Sequence, residues 1–393
     1  MRLVVLSSGN PNDMKGVMNF VQQEVKSLSS VQGNITVSFY LVRRYYSILL
    51  SLIGVGGFLP KRNRNEQTII DGVVYNVLWE KYGLWENIII NRLLKKIVSD
   101  NFIKKCKKQI GDFDAIITHN TACHIIAGTI NRDSACKHIC VWHGSDINID
   151  PYQSDMLMRA TKEALAHADI NLFVSRALMN EAKKVFNSPL MDVIYTGPSD
   201  FFKHYDNPKI DKLKKEFYIS GDVILGFVGN IIDVKNVLIL PEIALRVSEL
   251  MPGKSVKLVI VGNGNLENQL LDKLNNDKVQ YTFLGKQKPE RIPDIMNCLD
   301  VLILPSKNEG LPMVTLEALS CGVNVVGSNV GGISESIGLN NCFDLDSSFV
   351  AKIANRISEI IRNEEHPTPL SEKFSWDGAV KKLLSYLPVT KND

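Results

Sequence analysis

The chain has 393 residues, 45% of them apolar and 22% charged, with a net charge of +3 at pH 7. That length exceeds what one hydrophobic core usually organises, and the composition excludes a disordered or low-complexity chain, so two packed domains are expected. The seven cysteines form no CxxC pair and no zinc-type spacing, which predicts reduced, mostly buried thiols and argues against a metal centre.

Met1-Arg2 runs directly into Leu3–Leu6, a first strand rather than a signal-peptide core, and a cytoplasmic location is expected. Further strands are predicted at Ile35–Val42, Val73–Leu78, Ala115–Thr118, Ile139–Trp142, Asn171–Val174 and Asp192–Tyr195. Helical periodicity fills the intervals, for example at Val17–Leu28, Asn87–Lys108 and Ser154–Ala166. The longest apolar stretch, Tyr45–Leu59, is broken by Gly54, Gly56 and Gly57 and falls short of the roughly 18 residues that span a bilayer. Between Leu41 and Ile110 there are 13 basic and five acidic residues, a bias that suits either a solvated helix face or an anionic membrane surface.

A polar connection, Lys203–Glu216, follows Gly197-Pro198-Ser199 and places the domain boundary near residue 200. A second strand series begins at Val223–Val228 and continues at Lys257–Val261, Tyr281–Leu284, Val301–Leu304 and Asn324–Val326. The alternation predicts an α/β fold of two Rossmann-like, doubly wound domains across a cleft: residues 1–200, residues 201–370, and a terminal helix in residues 371–393 that crosses back to the first domain. In such sheets ligands bind outside the carboxyl ends of the strands.

Four loops of the second half sit at such ends: Gly229-Asn230, Gly262-Asn263-Gly264-Asn265, Ser306–Pro312 and Ser328–Gly332. Their glycines are expected to let backbone amides approach an anion. In the third loop, Glu309-Gly310-Leu311-Pro312 leads into the apolar-periodic Met313–Leu319, with Pro312 expected at the first helical position. The free amides of that helix start suit a diphosphate, and Glu317, set among apolar neighbours more than a turn in, calls for a hydroxyl partner such as a ribose diol. By spacing alone, Glu309 and Glu317 read equally as a capping and a solvated carboxylate. The loop, the proline, and Lys235 on an earlier loop shift the balance towards a site.

In the first half, Gly16 follows the first strand and opens a helix, and His119 and His143 each end a strand. A metal shared by His119 and His124 is excluded by their spacing, which puts them on different faces of any helix, and because no carboxylate or cysteine completes a ligand set.

Gly229–Lys235, Val259–Gly264, Phe283–Gly285, Asp300–Gly322 and Gly331–Glu335 together resemble the family 4 glycosyltransferases of the GT-B fold, over almost the whole second half. The tetrad His143-Gly144-Ser145-Asp146 resembles the first-domain motif of bacterial members that build surface polysaccharides. The resemblance implies retaining transfer of a hexose or N-acetylhexosamine from a nucleotide diphosphate sugar, UDP- favoured over GDP-, to a glycan or lipid-linked hydroxyl acceptor. It implies Glu309 and His143 at the donor sugar, Glu317 on the ribose, and Lys235 on the diphosphate. Gly310, Leu311 and Val314 would bind through their amides, Gly16 would approach the donor phosphates, and His119 would line the acceptor side. Where the family usually carries an arginine beside the loop glycine, this chain has Asn230. No cofactor, metal or nucleic-acid partner is implied. A sugar-nucleotide epimerase, a phosphorylase, a dinucleotide-dependent oxidoreductase suggested by Gly262-Asn263-Gly264, and a non-catalytic nucleotide-sugar binder are the rival readings.

Overall fold

The computed structural model describes residues 1–9, 17–31, 35–46, 66–70, 72–82, 96–132 and 136–388. It divides into two compact units, one formed by Met1–Tyr195 with Trp376–Asp393 and the other by Thr196–Ser375.

In the first unit, β1 (Arg2–Ser8), α1 (Val17–Ser29), β2 (Thr36–Tyr46), β3 (Gln67–Ile70), β4 (Val73–Tyr82), α2 (Asp100–Ile110), β5 (Ala115–His119), α3 (Thr121–Asn131), β6 (Lys137–Trp142), α4 (Ser145–Asn148), α5 (Asp155–His167), β7 (Ile170–Phe173), α6 (Arg176–Val185) and β8 (Met191–Val193) follow in order. Their sheet runs β3-β4-β2-β1-β5-β6-β7-β8 and is parallel except for the β3/β4 pair. The central strands are apolar on both faces, as Leu3–Leu6 and Ala115–Ile117 show by their complete burial, because helices cover both sides of a parallel sheet.

Two elements depart from the periodicity. The antiparallel edge strand β3 is absent from the sequence-based expectation, although Asp71-Gly72 ahead of β4 is a hairpin signal, and Gly72 has φ 78°. Its four residues and exposed Ile69 explain the weak pattern. The helix expected over Asn87–Lys108 begins, within the described residues, only at Asp100: Ser99 is its N-cap and accepts a bond from the Phe102 amide at 3.2 Å, while Lys96–Val98 are not helical. Residues 87–95 lie outside the described residues.

The second unit contains α7 (Asn207–Glu216), β9 (Val223–Val228), α8 (Leu240–Leu250), β10 (Val256–Val261), α9 (Glu267–Asn276), β11 (Tyr281–Gly285), α10 (Ile292–Met296), β12 (Val301–Leu304), α11 (Met313–Ser320), β13 (Asn324–Ser328), α12 (Ile333–Ile337), β14 (Cys342–Phe343) and α13 (Phe349–Arg362). Its all-parallel sheet has the order β11-β10-β9-β12-β13-β14, the doubly wound order whose direction reverses at β9. Alternate side chains of β9 enter opposite layers: Val223, Leu225 and Phe227 pack with Ile243, Val247 and Ile353, whereas Ile224 packs with Met296, Leu299 and Leu302. Burying Phe227 alone contributes about 2–3 kcal/mol.

The last helix, α14 (Trp376–Ser385), packs on α1 of the first unit. Trp376 meets Phe20 edge-on at 5.2 Å, Lys382 pairs with Asp192 at 2.8 Å, and the Tyr386 hydroxyl donates to the same carboxylate at 2.5 Å.

Candidate active site

The reversal at β9 brings the loops after β9 and β12 side by side. The Lys307 amide donates to the Val234 carbonyl at 2.8 Å, and Lys307 Nζ reaches Asp233 at 2.7 Å. Lys235, at the end of a 3-10 turn closed by left-handed Asn236, places its ammonium 2.5 Å from Glu309 Oε1. Both side chains are largely buried, so water screens this pair weakly. Lys235 and Glu309 are therefore partners of one another.

Pro312 occupies the N-cap of α11 rather than its first turn, with extended backbone (ψ 110°), and no side chain caps this helix start. The Thr315 amide donates to the Pro312 carbonyl at 3.1 Å, and the earlier amides of this start face no side-chain cap and suit an external acceptor. Gly310, Leu311 and Val314 are half-buried around this start, and Asn230 is half-buried on the β9 loop. Glu317 is half-buried in α11, and desolvation pushes its carboxyl up to about 7.

The glycines of the neighbouring loops act differently from expectation. A Cβ on Gly262 would lie 1.8 Å from the Gly229 carbonyl oxygen, and one on Gly264 would lie 2.1 Å from that of Ile231. The two loops are stitched by Gly229 N–Val261 O and Ile231 N–Asn263 O bonds of 3.0 and 2.9 Å. These glycines exist for backbone packing, which removes the basis for a dinucleotide fingerprint. Gly331, at φ 52°, likewise presses on the Glu309 carbonyl, where a Cβ would approach to 1.9 Å, and the Gly332 amide donates to Gly310 O at 2.8 Å. The Ser328–Gly332 loop thus buttresses the backbone that carries Glu309.

In the first unit, His119 at the end of β5 and His143 just beyond β6 are joined, His119 Nδ1 to His143 Nε2, at 2.9 Å. On its other side His119 Nε2 lies 2.8 Å from Glu24 Oε2, with both side chains fully buried. His119 cannot line a cleft surface, as expected from its strand-end position: both ring nitrogens are engaged inside the protein, and it backs His143 instead. Half-buried His143 is held well below the usual histidine range by desolvation and then by the neighbouring His119.

Asp146, from the same tetrad, accepts bonds from the His143 amide at 3.1 Å and the Gly144 amide at 2.8 Å, fixing the turn on which His143 sits. Burial pushes its carboxyl up to about 6, against those bonds. Glu24 and Asp146 were missed by sequence reasoning. The signal for Glu24 was available: with Val21, Val25 and Leu28 it lies on the buried stripe of α1, an unusual place for a carboxylate. Gly16 lies outside the described residues.

The exclusion of a ligand set around His124 needs correction. His124 from α3, with His138 and Cys140 from β6, bring their ligand atoms within 4.8 Å of one another. Thr118 Oγ1 sits among them, 2.7 Å from His124 Nδ1, 3.0 Å from His138 Nε2 and 3.6 Å from Cys140 Sγ. Among the described residues the outer nitrogens, His124 Nε2 and His138 Nδ1, have no acceptor, whereas metal-bound histidines nearly always give that second N–H to a partner. The group is a buried hub around the Thr118 hydroxyl. Among the described residues no cysteine is in a disulfide, and Cys136 alone is not fully buried. Among the described residues no helix is long and apolar enough to cross a membrane.

Two parallel doubly wound sheets make this a GT-B fold, and solved structures share it over nearly the full chain. Sucrose-phosphate synthase from Thermosynechococcus elongatus aligns with a TM-score of 0.73 at 14% identity, covering 98% of both chains. HepE of Anabaena in complex with UDP-glucose aligns at 0.65 and 16% identity, covering 98% of this chain and 100% of that one. Residues 209–375, within the second unit, match the family described as "Glycosyl transferases group 1". TuaC of Bacillus subtilis (strain 168), named as a teichuronic acid biosynthesis glycosyltransferase, is 27% identical over 61% of this chain. The N-acetyl-alpha-D-glucosaminyl L-malate synthase of Bacillus anthracis is 25% identical over 67%. The aligned stretches span 58% and 69% of those relatives' own lengths.

Proposed function

We propose that the protein is a retaining glycosyltransferase that moves a hexose or N-acetylhexosamine from a nucleotide diphosphate sugar, UDP- in preference to GDP-, to a hydroxyl of a lipid-linked glycan. The observation that carries the reading is Glu317: a half-buried carboxyl pushed up to about 7, in the helix whose uncapped start follows Glu309. A ribose diol would donate to it, while the first-turn amides of α11 and Lys235 would take the diphosphate. The names of the relatives favour transfer over epimerisation, and HepE was solved with UDP-glucose.

In this mechanism the diphosphate leaves against preorganised amides and the Lys235 ammonium, and the acceptor hydroxyl attacks from the same face. Donor phosphates compete with Glu309 for Lys235, which frees Glu309 to orient the sugar or stabilise its developing positive charge. His143 contacts the sugar. Helix amides and lysine supply the positive charge, so turnover needs no metal and persists in EDTA. The enzyme works in the cytoplasm, docked on the inner membrane face. Exposed Lys104, Lys107 and Lys108 on α2 belong to the basic stretch that would bind anionic lipid.

A panel of UDP-, GDP- and ADP-sugars, scored by thermal shift and then by turnover with lipid-linked acceptors, tests the reading. An inverted anomeric configuration in the product, read from NMR coupling constants, sinks the retaining mechanism. Interconversion of donor sugars without acceptor supports an epimerase instead, and binding without turnover a non-catalytic protein. Salt-insensitive failure to float with anionic liposomes removes the membrane surface.

A further inference from the structure

We infer that Glu24 and His119 form a buried ion pair that fixes the proton of His143 on Nδ1, so that this ring nitrogen presents a hydrogen-bond donor to the bound sugar. The inference deepens the site reading above and rests on its assignment of His143. The geometry is a single file of hydrogen bonds: Glu24 Oε2 to His119 Nε2 at 2.8 Å, then His119 Nδ1 to His143 Nε2 at 2.9 Å. His143 Nδ1 ends the file, and its ring is only half-buried.

Proton arithmetic selects the charge state. With a neutral His119 bonded to an ionised Glu24, the file would carry an uncompensated carboxylate at a site with no solvent exposure. Among the described residues Glu24 Oε1 has no hydrogen-bond partner to spread that charge. One further proton makes the file neutral overall, and imidazole, in water the more basic of the two groups, takes it on His119: both imidazolium nitrogens then donate, Nε2 to Glu24 and Nδ1 to His143, and a proton left on Glu24 would set the same His143 tautomer. His143 Nε2 must accept, so a neutral His143 carries its proton on Nδ1.

The surroundings hold this arrangement. Phe20, from the same helix as Glu24, meets the His143 ring edge-on at 4.7 Å and that of His119 at 5.8 Å, and Trp376 closes on Phe20 at 5.2 Å. The other titratable groups around the file are Asp146, bonded to the His143 and Gly144 amides, and His124, which desolvation keeps neutral. Glu24 and His119 are positioning residues, because neither is exposed to a ligand.

Long-range proton–nitrogen spectra of the full chain labelled with 15N-histidine test the pair at neutral pH, with His143→Gln and His138→Gln used to assign signals. The expected pattern is His119 protonated on both nitrogens and His143 neutral with the proton on Nδ1. A neutral His119, or a His143 protonated on Nε2, overturns the inference, and this readout needs no Glu24 variant to fold. In Glu24→Gln the imidazolium signature of His119 is expected to vanish and kcat/KM to fall by on the order of tenfold to hundredfold, with Glu24→Asp retaining the imidazolium. Retention of the His119 imidazolium in Glu24→Gln also overturns it. If the spectra match while His143→Ala turns over normally, the ion pair stands and the assignment of His143 to the sugar site fails.

Discussion

Replacing Glu317 with glutamine separates the cost of the site from its use. Desolvation holds the Glu317 carboxyl at about 7 against an ordinary 4.5, so ionising it in the fold costs about 3 kcal/mol more than in the unfolded chain. The folded-state value is the raised one: between pH 4.5 and 7 the unfolded chain releases this proton while the fold keeps it. Its contribution to stability is thus intact below 4.5 and is lost as pH rises through 7. Glu317→Gln carries no such ionisation, and the gain grows from about 1 kcal/mol at pH 5 to at most about 3 kcal/mol at pH 8. At roughly 2–4 °C per kcal/mol for a domain of this size, Tm rises by a few degrees at pH 5 and by up to about 10 °C at pH 8. Differential scanning fluorimetry at both pH values reads the effect, and isothermal titration with UDP reads the counterpart. Wild-type affinity increases from pH 5.5 to 7.5 as the diol-bonded carboxylate forms, whereas the variant binds weakly with a flat profile. Equal Tm shifts at the two pH values, or a lower Tm at pH 8, would show that Glu317 is not held protonated by burial.

Glu309→Ala and Lys235→Ala are each expected to lower kcat by at least about a hundredfold with secondary structure unchanged by circular dichroism; near-normal turnover by both removes the pair from the site. Gly262→Ala and Gly331→Ala place a methyl group against a neighbouring carbonyl oxygen, and each is expected to destabilise the second unit by roughly 2 kcal/mol or more in urea titration. A surface glycine with open space around it, Gly253, gives the control for packing: its alanine variant lacks the carbonyl clash and suffers only from its φ of 85°. Asp146→Asn leaves an amide in place of the carboxylate that accepts the His143 and Gly144 amides, and should lower kcat more than it lowers Tm. An unchanged kcat would show that the turn holds His143 without it.

The strand-rich alternation, the parallel sheets and the loops at the carboxyl ends of β9 and β12 were legible because they rest on local patterns. β-branched runs, a proline at a helix start and glycines at strand ends each act through a few neighbouring residues. The short edge strand β3 and the start of α2 were not, since a four-residue strand carries little periodicity and a serine cap competes with a longer apolar pattern. Local pattern also misassigned Gly262, Gly264 and Gly331, because a glycine that makes room for a carbonyl from another loop looks the same in sequence as one that makes room for a phosphate.

Local sequence pattern is enough to place residue types at strand ends and helix starts: Glu309 after β12, Lys235 after β9 and His143 after β6, with Glu317 inside α11. Only the tertiary structure decided who meets whom. Lys235 joins Glu309 across 74 residues, and Glu24 reaches His119 across 95, because strand order, set by long-range packing, brings distant loops and helices together. Whether His119 faces a ligand or backs another histidine depends on a carboxylate from α1, and no spacing along β5 encodes that contact.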